Sequence, residues 1–305
     1  MEEIMKKHLL IVLALIVMVL SFSSCGHEHA WSEWTTTKEA TCGEDGEQMR
    51  TCECGETEKQ VIPALKASEG LEFERHSDGT YLVTGIGTCA DTDLVIPPVY
   101  NGEPVTGIGD SAFRDCSSLT SIVIPDSVTS IDEAAFYGCS SLTSVVIPDG
   151  VTSIGGWTFQ HCSGLTSIVI PDGVTGIGYS AFRGCSSLTS VVIPESVTSI
   201  DGYAFYNCSG LTSVVIPDGV TSIGDYAFSN CDSVTSIVIP DSVIGIGSSV
   251  FRGCNVLKNV QFSGLVAEWK EISFGDLWNY NTGDYTVTCT DGIIAKDGTV
   301  TYNHI

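Results

Sequence analysis

The sequence predicts a β-rich solenoid of about eight coils, with one short parallel strand per coil, short helical turns on the return path and a cap at each end. Three observations carry this. Cys recurs at 116, 139, 162, 185, 208, 231 and 254, always 23 residues apart. Phe stands three residues before each of these cysteines. Pro keeps the same step at 125, 148, 171, 194, 217 and 240. A period of this size marks stacked units, none of which can bury its apolar face alone.

Each part of the coil has a physical reason. Leu119, Ile122 and Ile124 follow the L-x-x-L-x-L spacing of leucine-rich repeats, and the β-branched run around them favours a strand. Pro125 has no N–H to give to a ladder, so the strand is expected to stop there, and Pro-Asp-Ser or Pro-Asp-Gly supplies a turn. Val128 and Ile131 open the return path. Asp132 to Tyr137 is expected to form a turn of helix that places Ala135 and Phe136 inward, after which Cys139 starts the next coil. With strands about 4.8 Å apart, such a body is roughly 35 to 40 Å long.

The unit Cys-Ser-Ser-Leu-Thr-Ser-Ile-Val-Ile-Pro-Asp-Ser-Val-Thr-Ser-Ile, followed by Ala-Phe, resembles the BspA-type leucine-rich repeats of bacterial surface proteins. The resemblance covers 94–262, including a degenerate first coil with a five-residue insertion around Tyr100-Asn101-Gly102. It implies a leucine-rich-repeat fold and a role in adhesion to host proteins and to other bacteria. End coils need covers. Residues 67–93 read as the N-terminal cap, a hairpin around Ser77-Asp78-Gly79, and 263–305 as the C-terminal cap, with Trp269, Ile272, Phe274, Trp278 and Tyr280 as core. Similar Trp-containing, Cys-Thr-Asp-Gly endings accompany these repeats in the family.

Residues 1–24 read as a signal peptide: Lys6 and Lys7 precede an apolar run from Leu9 to Leu20 that is too short for a comfortable membrane span. The sequence Ser21-Phe22-Ser23-Ser24-Cys25 resembles a bacterial lipobox, with Phe22 where Leu is usual. That resemblance implies a lipid on Cys25 and a cell-surface protein tethered to the membrane, with plain secretion as the alternative. The module 25–66 is too short to fold on a hydrophobic core alone. A zinc site of three sulfurs and one nitrogen from Cys42, Cys52, Cys54 and His29 is one staple, but C-x-C is not the usual zinc spacing, and an oxidising exterior favours a disulfide among the cysteines. No other cofactor is expected.

Acidic side chains outnumber basic ones 37 to 13, and no Lys lies between Lys66 and Lys258, so there is no positive surface to neutralise phosphates and nucleic acid is a poor partner. Enzymatic chemistry also lacks support. No nucleophile, metalloprotease or nucleotide fingerprint is present, and the one His of the repeats, His161, adjoins a Cys162 whose register points inward. The recurring Asp126, Asp149, Asp172, Asp218 and Asp241, with Glu195, repeat with the fold and read as turn residues before catalytic carboxylates. The seven register cysteines read as buried, inert thiols. Arg114, Arg183 and Arg252 recur three coils apart, as solvated charges or anchors for a partner.

Strand alternation turns Val123, Val146, Val169, Val192, Val215 and Val238 outward beside a Ser row that includes Ser144, Ser167 and Ser190. Two readings follow from this stripe. Stacked in register, it is either a contact surface for a host or bacterial surface protein or a consequence of β-branched residues stabilising the ladder. The sequence therefore points to a non-catalytic binding protein. A surface spacer that self-associates is the alternative, and a carbohydrate-binding protein would need exposed aromatics that the strand face lacks.

Overall fold

The computed structural model describes residues 30–38, 40, 42 and 45–303. The chain divides into two compact units, Met1–Ala67 and Ser68–Ile305.

In the first unit, β1 (Thr35–Lys38), β2 (Gly46–Thr51) and β3 (Thr57–Ile62) form an antiparallel sheet in the order β1-β2-β3. Few of its side chains are buried, so packing on a core does not account for its order. Arg50 supplies a different fastening. Its guanidinium lies over the Trp31 and Trp34 rings, 4.9 and 4.7 Å from their centroids, and its Nε donates to Glu58 Oε2 at 2.7 Å. A cation held between two indole faces and neutralised across the strand pair contributes about 0.5–2 kcal/mol per ring contact.

The second unit is a solenoid of about nine coils with parallel strands and almost no helix. Its cap hairpin, β4 (Glu72–Arg75) and β5 (Tyr81–Gly85), closes through the turn at Asp78, whose carboxylate accepts the Thr80 N–H at 2.9 Å. From β5 onward the coil-to-coil pairing is parallel, beginning with β5 against Glu103–Ile108, while Val99–Tyr100 in the first coil folds back antiparallel on that strand. Two ladders run along the solenoid. One holds Ser121–Val123, Ser144–Val146, Ser167–Val169, Ser213–Val215 and Ser236–Ile239, in register one coil apart where they pair. The other, on the return path, holds Gly176–Ile177, Ser199–Ile200, Ser222–Ile223 and Gly245–Ile246, while Ser130–Ile131 at the equivalent position of an earlier coil pairs with Glu103–Ile108. The coil thus has a second short strand beyond the one the sequence reading expected, and each cap adds a strand to the stack.

The Pro turns form as the residues dictate, with the Val128 N–H donating to Pro125 O at 3.0 Å and the same bond in every coil to Val243. The segment expected to make a helical turn differs. Alternate N–H groups reach forward to the next coil: Ser111, Phe113 and Asp115 donate to the carbonyls of Glu133, Ala135 and Tyr137 at 3.0, 2.8 and 2.6 Å. The intervening ones, Ala112, Arg114 and Cys116, close tight turns to the residue three back. Two left-handed residues per coil block a helix here. One register runs Ser111, Ala134, Trp157, Ser180, Tyr203, Tyr226, Ser249, and the other Asp115, Gly138, His161, Gly184, Asn207, Asn230, Gly253, with φ between 53° and 79° throughout. The second register uses only residues that tolerate this conformation.

Inside, the rings of Phe113, Phe136, Phe159, Phe182, Phe205, Phe228 and Phe251 form one column with centroids 5.2–6.0 Å apart and planes within 19° of parallel. The cysteine column stands beside it. Each thiol from Cys139 to Cys254 donates to the Phe carbonyl of the preceding coil at 3.0–3.3 Å, which satisfies the only polar atom in an otherwise apolar position. Desolvation by burial raises all six thiols, Cys162, Cys208 and Cys254 to about 12. They are inert at neutral pH.

At the far end the Phe column meets Trp278 edge-on, 6.3 Å from Phe251, within a cluster that includes Phe262, Trp269, Phe274 and Tyr285. The short helix α1 (Val266–Glu271) is fixed at its start by Glu268 and Asp291, which accept the N–H groups of Leu265 and Val266 at 2.7 and 2.8 Å. Thr286–Thr288 extends the first ladder, and Gly292–Ala295 and Val300–Tyr302 fold back antiparallel over it. Tyr280, assigned to the core from sequence, is exposed instead, with Arg252 over its ring at 5.6 Å.

Candidate binding face

The Ser-Ile-Val strands present alternate side chains to opposite sides, and Ile122, Val145, Ile168, Val214 and Ile237 are all buried. The outward residues follow. Val146, Val169, Val192 and Val215 are 47%, 43%, 61% and 58% exposed, while Val123 and Val238 at the ends of the row are half-buried. Ser144 and Ser167 are half-buried and Ser190 is exposed. Val145 pairs with Ile168, Val146 with Val169 and Val169 with Val192, so the exposed methyl groups lie on adjoining coils.

A threonine row borders the valines. The Oγ1 atoms of Thr143, Thr166, Thr189, Thr212 and Thr235 each donate to the backbone carbonyl of the Thr one coil back, at 3.1–3.5 Å. Each of these hydroxyls thus gives its proton to the scaffold and keeps its lone pairs at the border of the valine row. At the N-terminal end Asp93 accepts from Ser121 and Thr120 at 2.5 and 2.8 Å, and these hydroxyls hold its carboxyl below the usual range.

The remaining sequence candidates fall elsewhere. Cys25 and His29 lie outside the described residues. Cys52 is buried and Cys54 exposed, with their side chains in contact, while Cys42 is half-buried and bridges toward Leu65. Among the described residues no group of three or more His, Cys, Asp or Glu is placed to hold a metal ion. The array arginines stand over tyrosine rings: Arg114 over Tyr137 at 4.4 Å, Arg183 over Tyr203 and Tyr206 at 5.6 and 5.1 Å. His161 takes a left-handed conformation, edge-on to Tyr137, and the neighbouring Cys162 thiol bonds inward to Phe136 O.

Sequence reasoning missed a second row. On the turn face Trp157, Tyr179, Tyr203 and Tyr226 make successive ring contacts, with centroids 5.7, 5.5 and 4.7 Å apart. The signal was available, since 157, 203 and 226 share one register in which the other coils carry Ser or Ala.

The sequence model described as "BspA type Leucine rich repeat region" matches residues 106–235 and 175–290, with six copies. Among solved structures, a leucine-rich repeat protein of T. pallidum is 26% identical, over 71% of this chain and 89% of its own, with a TM-score of 0.51. A leucine-rich repeat protein of Eubacterium ventriosum is 25% identical over 63% of this chain and 56% of its own, also at 0.51. No curated protein matches the chain.

Proposed function

Because this chain belongs to the BspA-type leucine-rich repeat proteins, which the repeat match over more than half its length shows, we propose that it is a non-catalytic surface adhesin that binds a host or bacterial surface protein through its valine face. The observation that carries this is the run of four valines, 43–61% exposed, on adjoining coils. Stabilising a ladder requires β-branched residues but not a contiguous apolar row at this exposure, since Thr would serve the strand equally well. A row of methyl groups rimmed by hydroxyls matches the apolar centre and polar rim of protein interfaces.

Replacing Val146, Val169, Val192 and Val215 together with Ser tests it. Against an array of extracellular-matrix and bacterial surface proteins, the parent chain is expected to bind at least one saturably as a monomer. The variant is expected to lose that binding by at least about 100-fold, because desolvated anchors together contribute about 3 kcal/mol or more. Unchanged binding with a lowered unfolding midpoint would assign the row to the ladder instead.

Anchoring at the surface rests on Cys25, whose setting in the sequence resembles a lipobox. Cys25→Ala is expected to move the protein from the membrane fraction to the medium or the soluble fraction. Retention of the full-length variant in membranes would count against a lipid on this residue.

A further inference from the structure

We infer that the aromatic row on the turn face is a binding site for a neutral glycan chain, independent of the valine face and on a different side chain set. Backbone conformation is the first argument. Trp157, Tyr203 and Tyr226 hold φ of 55°, 59° and 57°, a region that bulky side chains avoid, at a register where Ser and Ala suffice in other coils. None of these three rings is taken into the core: Trp157 is 38% exposed, Tyr203 and Tyr226 are half-buried, and Tyr179, which joins them in the row, is 44% exposed. Costly placement of a large group on a surface points to a use there.

The surroundings say what would bind. Tyr179 fills a register that is Gly156 and Gly202 in the adjoining coils, and its ring edge passes at contact distance over Gly202, where a methyl group would sit 3.4 Å from Cε2. Trp157 stands edge-on to it at 71°. The return ladder that leads into these turns carries a depression of about 300 Å³, lined among others by Ser153, Thr175, Gly176, Gly178 and Asp201. A methyl group on Gly178 would come within 2.8 Å of Ile154 O, so this position is held as bare backbone.

A pyranose ring offers polarised C–H groups on its flat face and hydroxyls around its edge. The first suit the negative face of an aromatic ring, and the second suit carboxylates, which accept only, and exposed backbone carbonyls. Nucleic-acid bases also stack on aromatic rings, but the chain's net charge of −24 opposes phosphate. A polyproline peptide needs slots between rings. Tyr203 and Tyr226 stack at 4.7 Å and 11°, which closes that slot.

Affinity electrophoresis of the full chain through gels containing soluble β-glucan, xylan, glucomannan or galactomannan is the test. At least one polysaccharide is expected to retard it, and Tyr179→Ala and Trp157→Ala should each weaken the retardation at least tenfold with unfolding midpoints unchanged, since other coils carry Gly or Ala there. The four-valine variant should be retarded like the parent, which separates this site from the adhesin reading. Retardation by none of the four, retardation unaffected by both ring variants, or capture of a polyproline peptide by the same rings would overturn the assignment.

Discussion

Phe182→Ala is expected to lower the stability of the solenoid by about 3–5 kcal/mol, as truncating a fully buried aromatic ring does in close-packed cores. Phe182 sits in the middle of the ring column, with no exposure and stacked neighbours at 5.4 and 5.2 Å. Its carbonyl accepts both the Cys185 N–H and the Cys208 thiol, each at 3.1 Å, so a collapsing ring also disturbs the hydrogen bonds of two coils. A coil stack has nearest-neighbour contacts only, and damage at its centre weakens the coupling between the two halves. Urea unfolding should show a lowered midpoint and a broadened or split transition. Hydrogen exchange should show protection lost first between Phe159 and Phe205. A loss below about 1 kcal/mol with one sharp transition would mean that the column is not the coupling element. Phe182→Leu, which refills most of the volume, should fall between the variant and the parent.

The strand that bears Val146 and the Pro turn after it were legible because their signals are repeated in every coil and each has one physical meaning: alternation for the strand, a missing N–H for its end. The return path was harder. Ala135 and Phe136 are spaced as a helical turn would place them, yet a period of 23 residues brings the next coil's carbonyls within reach of Ser111, Phe113 and Asp115, and those bonds outcompete a helix. The restriction of 115, 138, 161, 184, 207, 230 and 253 to Asp, Gly, His and Asn was the available warning, since these residues share tolerance of the left-handed region. In the first unit the cysteines carry the visible spacing, whereas the Arg50 fastening on Trp31 and Trp34 depends on which face of a strand pair three distant residues share. Spacing alone does not give that. The exposure of the valines was likewise legible from alternation, but the aromatic row was not, because the Ala-Phe spacing of the turn predicts an inward-facing helix.

Raising the pH from 8 to 10 under reducing conditions is expected to destabilise the solenoid strongly, and the cysteine column is the reason. An unfolded thiol ionises near its ordinary value of 9.0, whereas burial holds Cys162, Cys208 and Cys254 at about 12 and raises Cys139, Cys185 and Cys231 as well. Between those values the unfolded chain has released protons that the folded chain retains. Stability therefore does not depend on these groups below pH 9, and it falls as pH rises from 9 toward 12. Each thiol contributes a slope approaching about 1.4 kcal/mol per pH unit. For the six together, the loss at pH 10 is on the order of 8 kcal/mol, comparable to the whole stability of an ordinary domain. Urea midpoints measured at pH 7, 8, 9 and 10 should stay level at first and then drop steeply. Replacing Cys185 and Cys208 with Ala removes two of the six titrating groups, so that variant should start less stable at neutral pH, having lost two sulfurs and their bonds to Phe159 and Phe182, yet lose about a third less on going to pH 10. Equal stability of the parent at pH 8 and pH 10 would mean that the column admits thiolate, and with it water, into a position that the ring column and the coil-to-coil bonds are arranged to keep dry.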